Sequence, residues 1–145
     1  MDRCIFCEIA AGRAPASIVY EDDDVVAFMD IRPVNPGHLL IITREHHRNI
    51  FDCPPALAGK LLAAAARLAG PLQRATNAAG MNLLIANEPA GGQDVFHIHL
   101  HMLPRHVGDG FGFHLPPSHP QRPARTALDK MAAAIRKQIT EEELL

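Results

Sequence analysis

No stretch of this sequence stays apolar long enough to cross a membrane. A spanning helix needs about 20 such residues, and the longest apolar runs reach roughly half of that length. Nor is there a basic run. Fourteen Lys and Arg face 16 Asp and Glu, for a net charge of −2, so nothing signals a nucleic-acid-binding face. The opening MDRCIFCEIAAG lacks a basic region followed by a long apolar one. That argues against a secretion signal and for the cytoplasm. In that compartment the three cysteines read as thiols or metal ligands rather than disulfides. Internal repeats and low-complexity linkers are also missing. What remains is an ordinary globular balance over 145 residues, 48% hydrophobic and 21% charged, enough chain for a single core.

Histidine is plentiful: there are nine, and five of them fall in two clusters, at 46–47 and at 97–101. The second cluster, in GGQDVFHIHLHMLPR, places His97, His99 and His101 at every second position with apolar residues between. In a strand such residues share a face at about 6.6–6.8 Å spacing, a row about 13 Å long. A zinc ion holds nitrogen ligands at about 2.0–2.1 Å, so one ion cannot take all three without straining the strand. The three histidines are therefore expected to divide their work.

The pattern along the chain predicts an α+β fold. Residues 4–11 form a short helix or turn. SIVYEDDDVVAFMDI, residues 17–31, reads as strand, turn, strand, and HLLIIT, residues 38–43, as a buried strand. Pro54-Pro55 opens a long helix with Leu57, Leu61, Leu62, Ala65, Leu68, Leu72 and Ala75 at helical spacing. Gly59, Gly70 and Pro71 weaken it, Pro71 is expected to kink it, and Gly80 fits a C-cap. MNLLIAN, residues 81–87, and VFHIHLHML, residues 95–103, read as strands around the loop 88–94. Residues 104–123 look irregular. ARTALDKMAAAIRKQITEEELL reads as a C-terminal helix with Leu128, Met131, Ala132, Ile135 and Ile139 as its apolar stripe. The expected architecture is a mostly antiparallel five-stranded sheet with one long helix and a C-terminal helix. Residues 1–110 would form the main domain. Residues 111–145 would be an extension packed on it.

Two further features carry chemistry. Cys4-Ile-Phe-Cys7 is a CxxC, open between a redox pair, half of a zinc site and coincidence. No thioredoxin-like βαβ pattern follows it, which weakens the redox reading. Cys53 has no partner in sight. Asp30 lies between Met29 and Ile31 in a strand, where an unpaired charge is costly to bury.

HIHLHML resembles the His-φ-His-φ-His-φ-φ signature of the histidine triad superfamily of nucleotide hydrolases and transferases. CIFCEI, YEDDDVVAFMDIRPVNPGHLLIITREH and ANEPAGGQDVF resemble the same family, so the likeness runs from about residue 4 to about residue 110. The resemblance implies that His99 attacks the α-phosphate of a purine nucleotide to form a covalent nucleotidyl-histidine, which water then hydrolyses. His101 would donate to the phosphate or the departing group, and His38 would support the catalytic histidines. Ile5, Phe6, Phe28 and Ile31 would sandwich the base, with Asp30 accepting from the ribose hydroxyls. Asn87, Gly92 and Asp94 would align with phosphate- and ribose-contacting positions, and Gly91 and Gly92 would let backbone N–H groups approach phosphate. Asp94 departs from relatives with serine or threonine there, because a carboxylate donates no hydrogen bond.

Metal-binding relatives imply a structural zinc on Cys4, Cys7, His46 and His97, with no catalytic metal required. The implied substrates are phosphoramidates, aminoacyl-adenylates or dinucleoside polyphosphates. The implied assembly is a homodimer through residues 55–87, with no nucleic-acid or membrane partner. Two alternatives stand beside this reading. One is a zinc-stabilised, nucleotide-binding interaction protein with little turnover. The other is a hydrolase with a catalytic metal held by HxH ligands.

Overall fold

The computed structural model describes residues 3–144. The first two residues and Leu145, the last residue of the expected C-terminal helix, lie outside them. The chain divides into two compact units, Met1–Phe111 and Gly112–Leu145.

The first unit holds five strands: β1 (Ile18–Glu21), β2 (Val25–Met29), β3 (Leu39–Thr43), β4 (Gly80–Leu84) and β5 (His99–Arg105). Its helices are α1 (Ile5–Ala10) and α2 (Pro55–Thr76). The strands form one sheet in the order β1-β2-β3-β5-β4, and every neighbouring pair is antiparallel. The Asp-rich turn closes the first hairpin because the Asp22 carboxylate accepts from the N–H groups of Asp24 and Val25, at 2.8 and 2.9 Å. That is the turn chemistry expected of Asp.

VVAFM and the LLII of LLIIT are unbroken apolar runs because both faces of the central sheet are covered. The period of two sorts their side chains. Val25, Ala27, Leu39, Ile41, Leu100 and Met102 pack with Leu61, Ala64 and Ala65 of α2. Val26, Phe28, Leu40 and Ile42 face the other way and pack with Phe6 of α1. In β5, His99 is paired with Ile42 and His101 with Leu40. Both histidines thereby belong to the face that carries α1.

Several expectations shift. α2 runs unbroken through Gly59, Gly70 and Pro71. It ends at Asn77 in the left-handed region, φ 52°, a conformation that asparagine tolerates. Gly80, the expected cap, opens β4 instead. The strand expected over 95–103 begins only at His99 and continues to Arg105. Residues 95–97 form a bend, and the Ile98 N–H donates to the His47 carbonyl at 2.8 Å instead of to a strand neighbour. The three histidines are thus not one row on one strand. The loop before β3 turns on Gly37, φ 92°, where a Cβ would stand 2.4 Å from the Thr76 Cγ2 methyl at the end of α2.

The second unit contains α3 (Arg125–Gln138) and a short 3-10 turn, Glu142–Leu144. The expected helix therefore stops before Ile139. The stripe residues Leu128, Met131 and Ile135 are exposed. No helix among the described residues is long and apolar enough to cross a membrane.

Candidate active site and metal cluster

Backbone groups settle the tautomers of three histidines and, through one of them, that of a fourth. The His97 ring meets the Thr43 carbonyl through Nε2 at 2.7 Å. A carbonyl only accepts, so Nε2 carries the proton and Nδ1 keeps its lone pair. His99 Nδ1 lies 2.8 Å from the His97 carbonyl, so its proton sits on Nδ1 and Nε2 is the free base. The Val34 N–H donates to His38 Nδ1 at 3.1 Å. His38 Nε2 must then carry the proton, which it donates to His101 Nδ1 at 2.9 Å. His101 is left with an N–H at Nε2. Asp30 also lies near His38 Nε2, at 3.4 Å.

These assignments need neutral rings. Burial pushes His101 down to about 4, with nearby His99 and His38 adding to the effect. Burial likewise pushes His97 down to about 4 and lowers His38 against the opposing pull of Asp30.

His99 and His101 line a cleft of about 490 Å³ on the α1 side of the sheet. Its walls also carry Ile5, Phe6, Phe28, Asp30, Ile31 and Asp94. The Phe6 ring stands edge-on to His99, with centroids 5.1 Å apart. Ile31 is 92% exposed at the rim and Ile5 50%, an uncovered apolar lip of the kind a flat apolar ligand covers. Asp30 is held by the Arg32 N–H at 2.8 Å.

Two of the expected contact residues are not brought to the cleft. Asn87 spends its amide on the chain itself, accepting from the Ile50 N–H at 2.8 Å and donating to the Ile85 carbonyl. The Gly92 N–H donates to the Pro89 carbonyl and the Gly91 N–H to the Glu88 carbonyl, so the glycine loop satisfies its own donors. Gly92 serves the turn through its φ of 88°. His38 stands behind His101.

Gln93 joins the site as a residue that no sequence motif assigns a role. It is buried, and its amide donates to the Arg48 and Val95 carbonyls while accepting from the Glu88 N–H and the Asn49 amide. Glu88 sits at φ 63°, and its two carboxylate oxygens accept from Arg48 Nε–H and Nη2–H, each at 2.8 Å. Hydrogen bonds from Arg48 and then Asn49 hold its carboxyl down at about 2. This network fixes the loop that leads into β5. The only hint in sequence was a glutamine between the glycine turn and the histidines.

On the other side of His97, the Cys4 and Cys7 thiols and the Nδ1 atoms of His46 and His97 all lie within 4.8 Å of one another. His46 and His97 are separated by 3.2 Å, Cys7 and His46 by 3.3 Å, and Cys4 and Cys7 from His97 by 3.4 and 3.5 Å. A tetrahedral zinc with ordinary bond lengths sets nitrogen–nitrogen edges of about 3.3 Å and nitrogen–sulfur edges of about 3.6 Å. The donor set and its spacing therefore fit that ion. Burial, and then the Cys4 thiol beside it, push Cys7 up to about 11. Metal binding must displace that proton.

Residues 11–108 match the HIT domain. Protein hit of Bacillus subtilis is 41% identical over 112 residues, covering 77% of each chain. Adenylylsulfatase HINT3 of Arabidopsis thaliana is 34% identical over 106 residues, 73% of this chain and 54% of that one. The crystal structure of a zinc-bound histidine triad family protein from Mycobacterium smegmatis superposes with a TM-score of 0.72 at 37% identity, covering 90% of this chain and 96% of the other. With a domain match across most of its length and relatives this close, the chain belongs to the HIT family of nucleotide-binding hydrolases and transferases.

Proposed function

We propose that this protein cleaves the α-phosphate of purine nucleoside phosphoramidates or dinucleoside polyphosphates through a covalent nucleotidyl-histidine on His99. The observation that carries this reading is the hydrogen bond from His99 Nδ1–H to the His97 carbonyl. It leaves Nε2 unprotonated in the cleft, the form in which imidazole is a nucleophile. The base stacks among Ile5, Phe6, Phe28 and Ile31, and the ribose hydroxyls donate to Asp30. His101 presents its Nε2–H to the phosphate, held in that tautomer by His38. Phosphoryl transfer depends mostly on positioning and charge stabilisation, which fixed N–H donors supply.

Cys4, Cys7, His46 and His97 hold zinc in a structural role. A closed four-ligand site leaves no open coordination position for catalysis. It joins α1, which carries Phe6, to the bend before β5. The homodimer contact falls on α2 and the edge strand β4, where Leu62 and Leu83 are exposed.

Turnover of adenosine phosphoramidate tests the assignment. His99→Gly should lower kcat by at least about 10³-fold, the order seen when an essential nucleophile is lost, with AMP still bound. A His99→Gly protein that turns over like the wild type would overturn the reading. Wild-type protein that binds AMP but cleaves neither substrate class would favour the interaction-protein alternative.

A further inference from the structure

The charged side chains on the cleft wall are Asp30, Arg32 and Asp94, two carboxylates against one guanidinium. Arg48, whose carbonyl accepts from Gln93 in the loop before Asp94, is neutralised by both oxygens of Glu88. Burial favours the neutral form of both His38 and His101. Asp30 is turned to the Arg32 N–H and His38, whereas Asp94 is exposed and shares the wall with His99 and His101. Its negative charge acts on the His101 ring, and one of its oxygens is held by the Val95 N–H at 2.9 Å. A leaving group that carries several phosphate charges would enter beside the Asp94 carboxylate, on a wall where, among the described residues, Arg32 is the one cation against two carboxylates. An amine leaving group would meet a hydrogen-bond acceptor of the right sign.

We infer that Asp94 is a specificity-determining residue that selects amine leaving groups, and thus nucleoside phosphoramidates, over anionic ones such as polyphosphates. The inference rests on the proposed His99 chemistry and adds the substrate class. In the first step the His99 Nε2 lone pair forms the N–P bond as the substrate P–N bond breaks. The departing nitrogen keeps that bond's electron pair, takes one proton from solvent beside the exposed Asp94 carboxylate, and leaves as a free amine. The carboxylate stabilises the positive charge that builds on nitrogen as the proton arrives. Water then hydrolyses the nucleotidyl-histidine and returns one proton to solvent. A polyphosphate needs no proton to depart, gains nothing from the carboxylate and is repelled by it.

The test compares kcat/KM for the lysine Nε-phosphoramidate of AMP with kcat/KM for diadenosine tetraphosphate, in wild type, Asp94→Asn and Asp94→Lys. Asparagine keeps the side-chain oxygen that accepts from Val95 and removes only the charge. Wild type should favour the phosphoramidate. The ratio should fall about tenfold in Asp94→Asn, the order expected for one unit charge near a partly solvated site, and further in Asp94→Lys. In parallel, ATP affinity relative to AMP, measured by calorimetry in the His99→Gly background, should rise in both Asp94 variants. A mere structural defect would lower both rates together and leave the ratio alone. Cleavage of both substrates with the same ratio in all three proteins, or unchanged ATP preference, would overturn the role of Asp94 and leave His99 standing. Failure of every protein to cleave either substrate would overturn the His99 reading and the Asp94 inference with it.

Discussion

At the scale of single residues, the site is an arrangement of protons fixed by the backbone. Three backbone groups, the Thr43 and His97 carbonyls and the Val34 N–H, decide which nitrogen of each ring is basic. Adjacent histidines can thereby take different roles in the proposed reaction. His101 has a testable pH signature. Burial holds His101 at about 4 in the folded state, below the ordinary histidine value of about 6.5, so the folded state favours the neutral ring. The stabilisation is fully present above the unfolded value and is lost as pH falls from about 6.5 towards 4. The sign follows because the unfolded chain binds more protons in that window. NMR titration should show the His101 ring still neutral at pH 5.5, and His101→Gln should flatten the acid limb of stability. Titration of His101 near 6.5 in the folded protein would contradict the assigned burial. The residue types were legible in sequence, since HIHLHML and CIFCEI announce them. The proton positions were not, because they depend on carbonyls 43 and 97 and an N–H at 34 that only the fold brings to the rings.

At the scale of elements, a sheet buried on both faces supports the cleft. β3 supplies Ile41 to the α2 side, while Leu40 and Ile42 face the α1 side opposite His101 and His99 of β5. Ile41 is fully buried, so Ile41→Ala should cost about 3 kcal/mol by urea unfolding. A loss under about 1 kcal/mol would mean that the core relaxes around the cavity. Gly37→Ala should also destabilise the fold, because the new Cβ meets the Thr76 methyl and the φ of 92° is strained for alanine. Its effect should reach turnover, since His38 is the next residue. Strands and long helix were readable from period and turn chemistry. The onset of β5 was not. Alternation of polar and apolar residues continues back through His97, but the His47 carbonyl captures the Ile98 N–H and the Thr43 carbonyl captures the His97 ring. The helix end was misplaced for a related reason. Asn77 can take the left-handed cap, so the helix had no need to reach Gly80.

At the scale of the whole molecule, the Cys4-Cys7-His46-His97 cluster joins segments far apart in sequence, with Cys4 and His97 separated by 93 positions. Metal binding to the folded form alone stabilises it by mass action. Purified protein should carry about one zinc per chain, and chelation or Cys7→Ser should lower Tm. Because the Cys7 proton must leave, zinc affinity should rise with pH. A protein that folds fully and keeps its Tm after complete metal removal would contradict the structural role. The four residues of this cluster were legible through family resemblance. The CxxC alone left three readings open. The shape of Gly112–Leu145 was readable only as a helix. Its exposed Leu128, Met131 and Ile135 show that the apolar stripe marks an amphipathic helix.

The central claim is that phosphorus becomes bonded to one nitrogen of one ring. Wild-type protein mixed with adenosine phosphoramidate, quenched in alkali and digested, should yield an adenylylated peptide spanning residues 95–105. Fragmentation should place the nucleotide on His99, and phosphorus NMR should assign it to Nε2. Label on His101, or intact unlabelled peptide during steady turnover, would contradict the account.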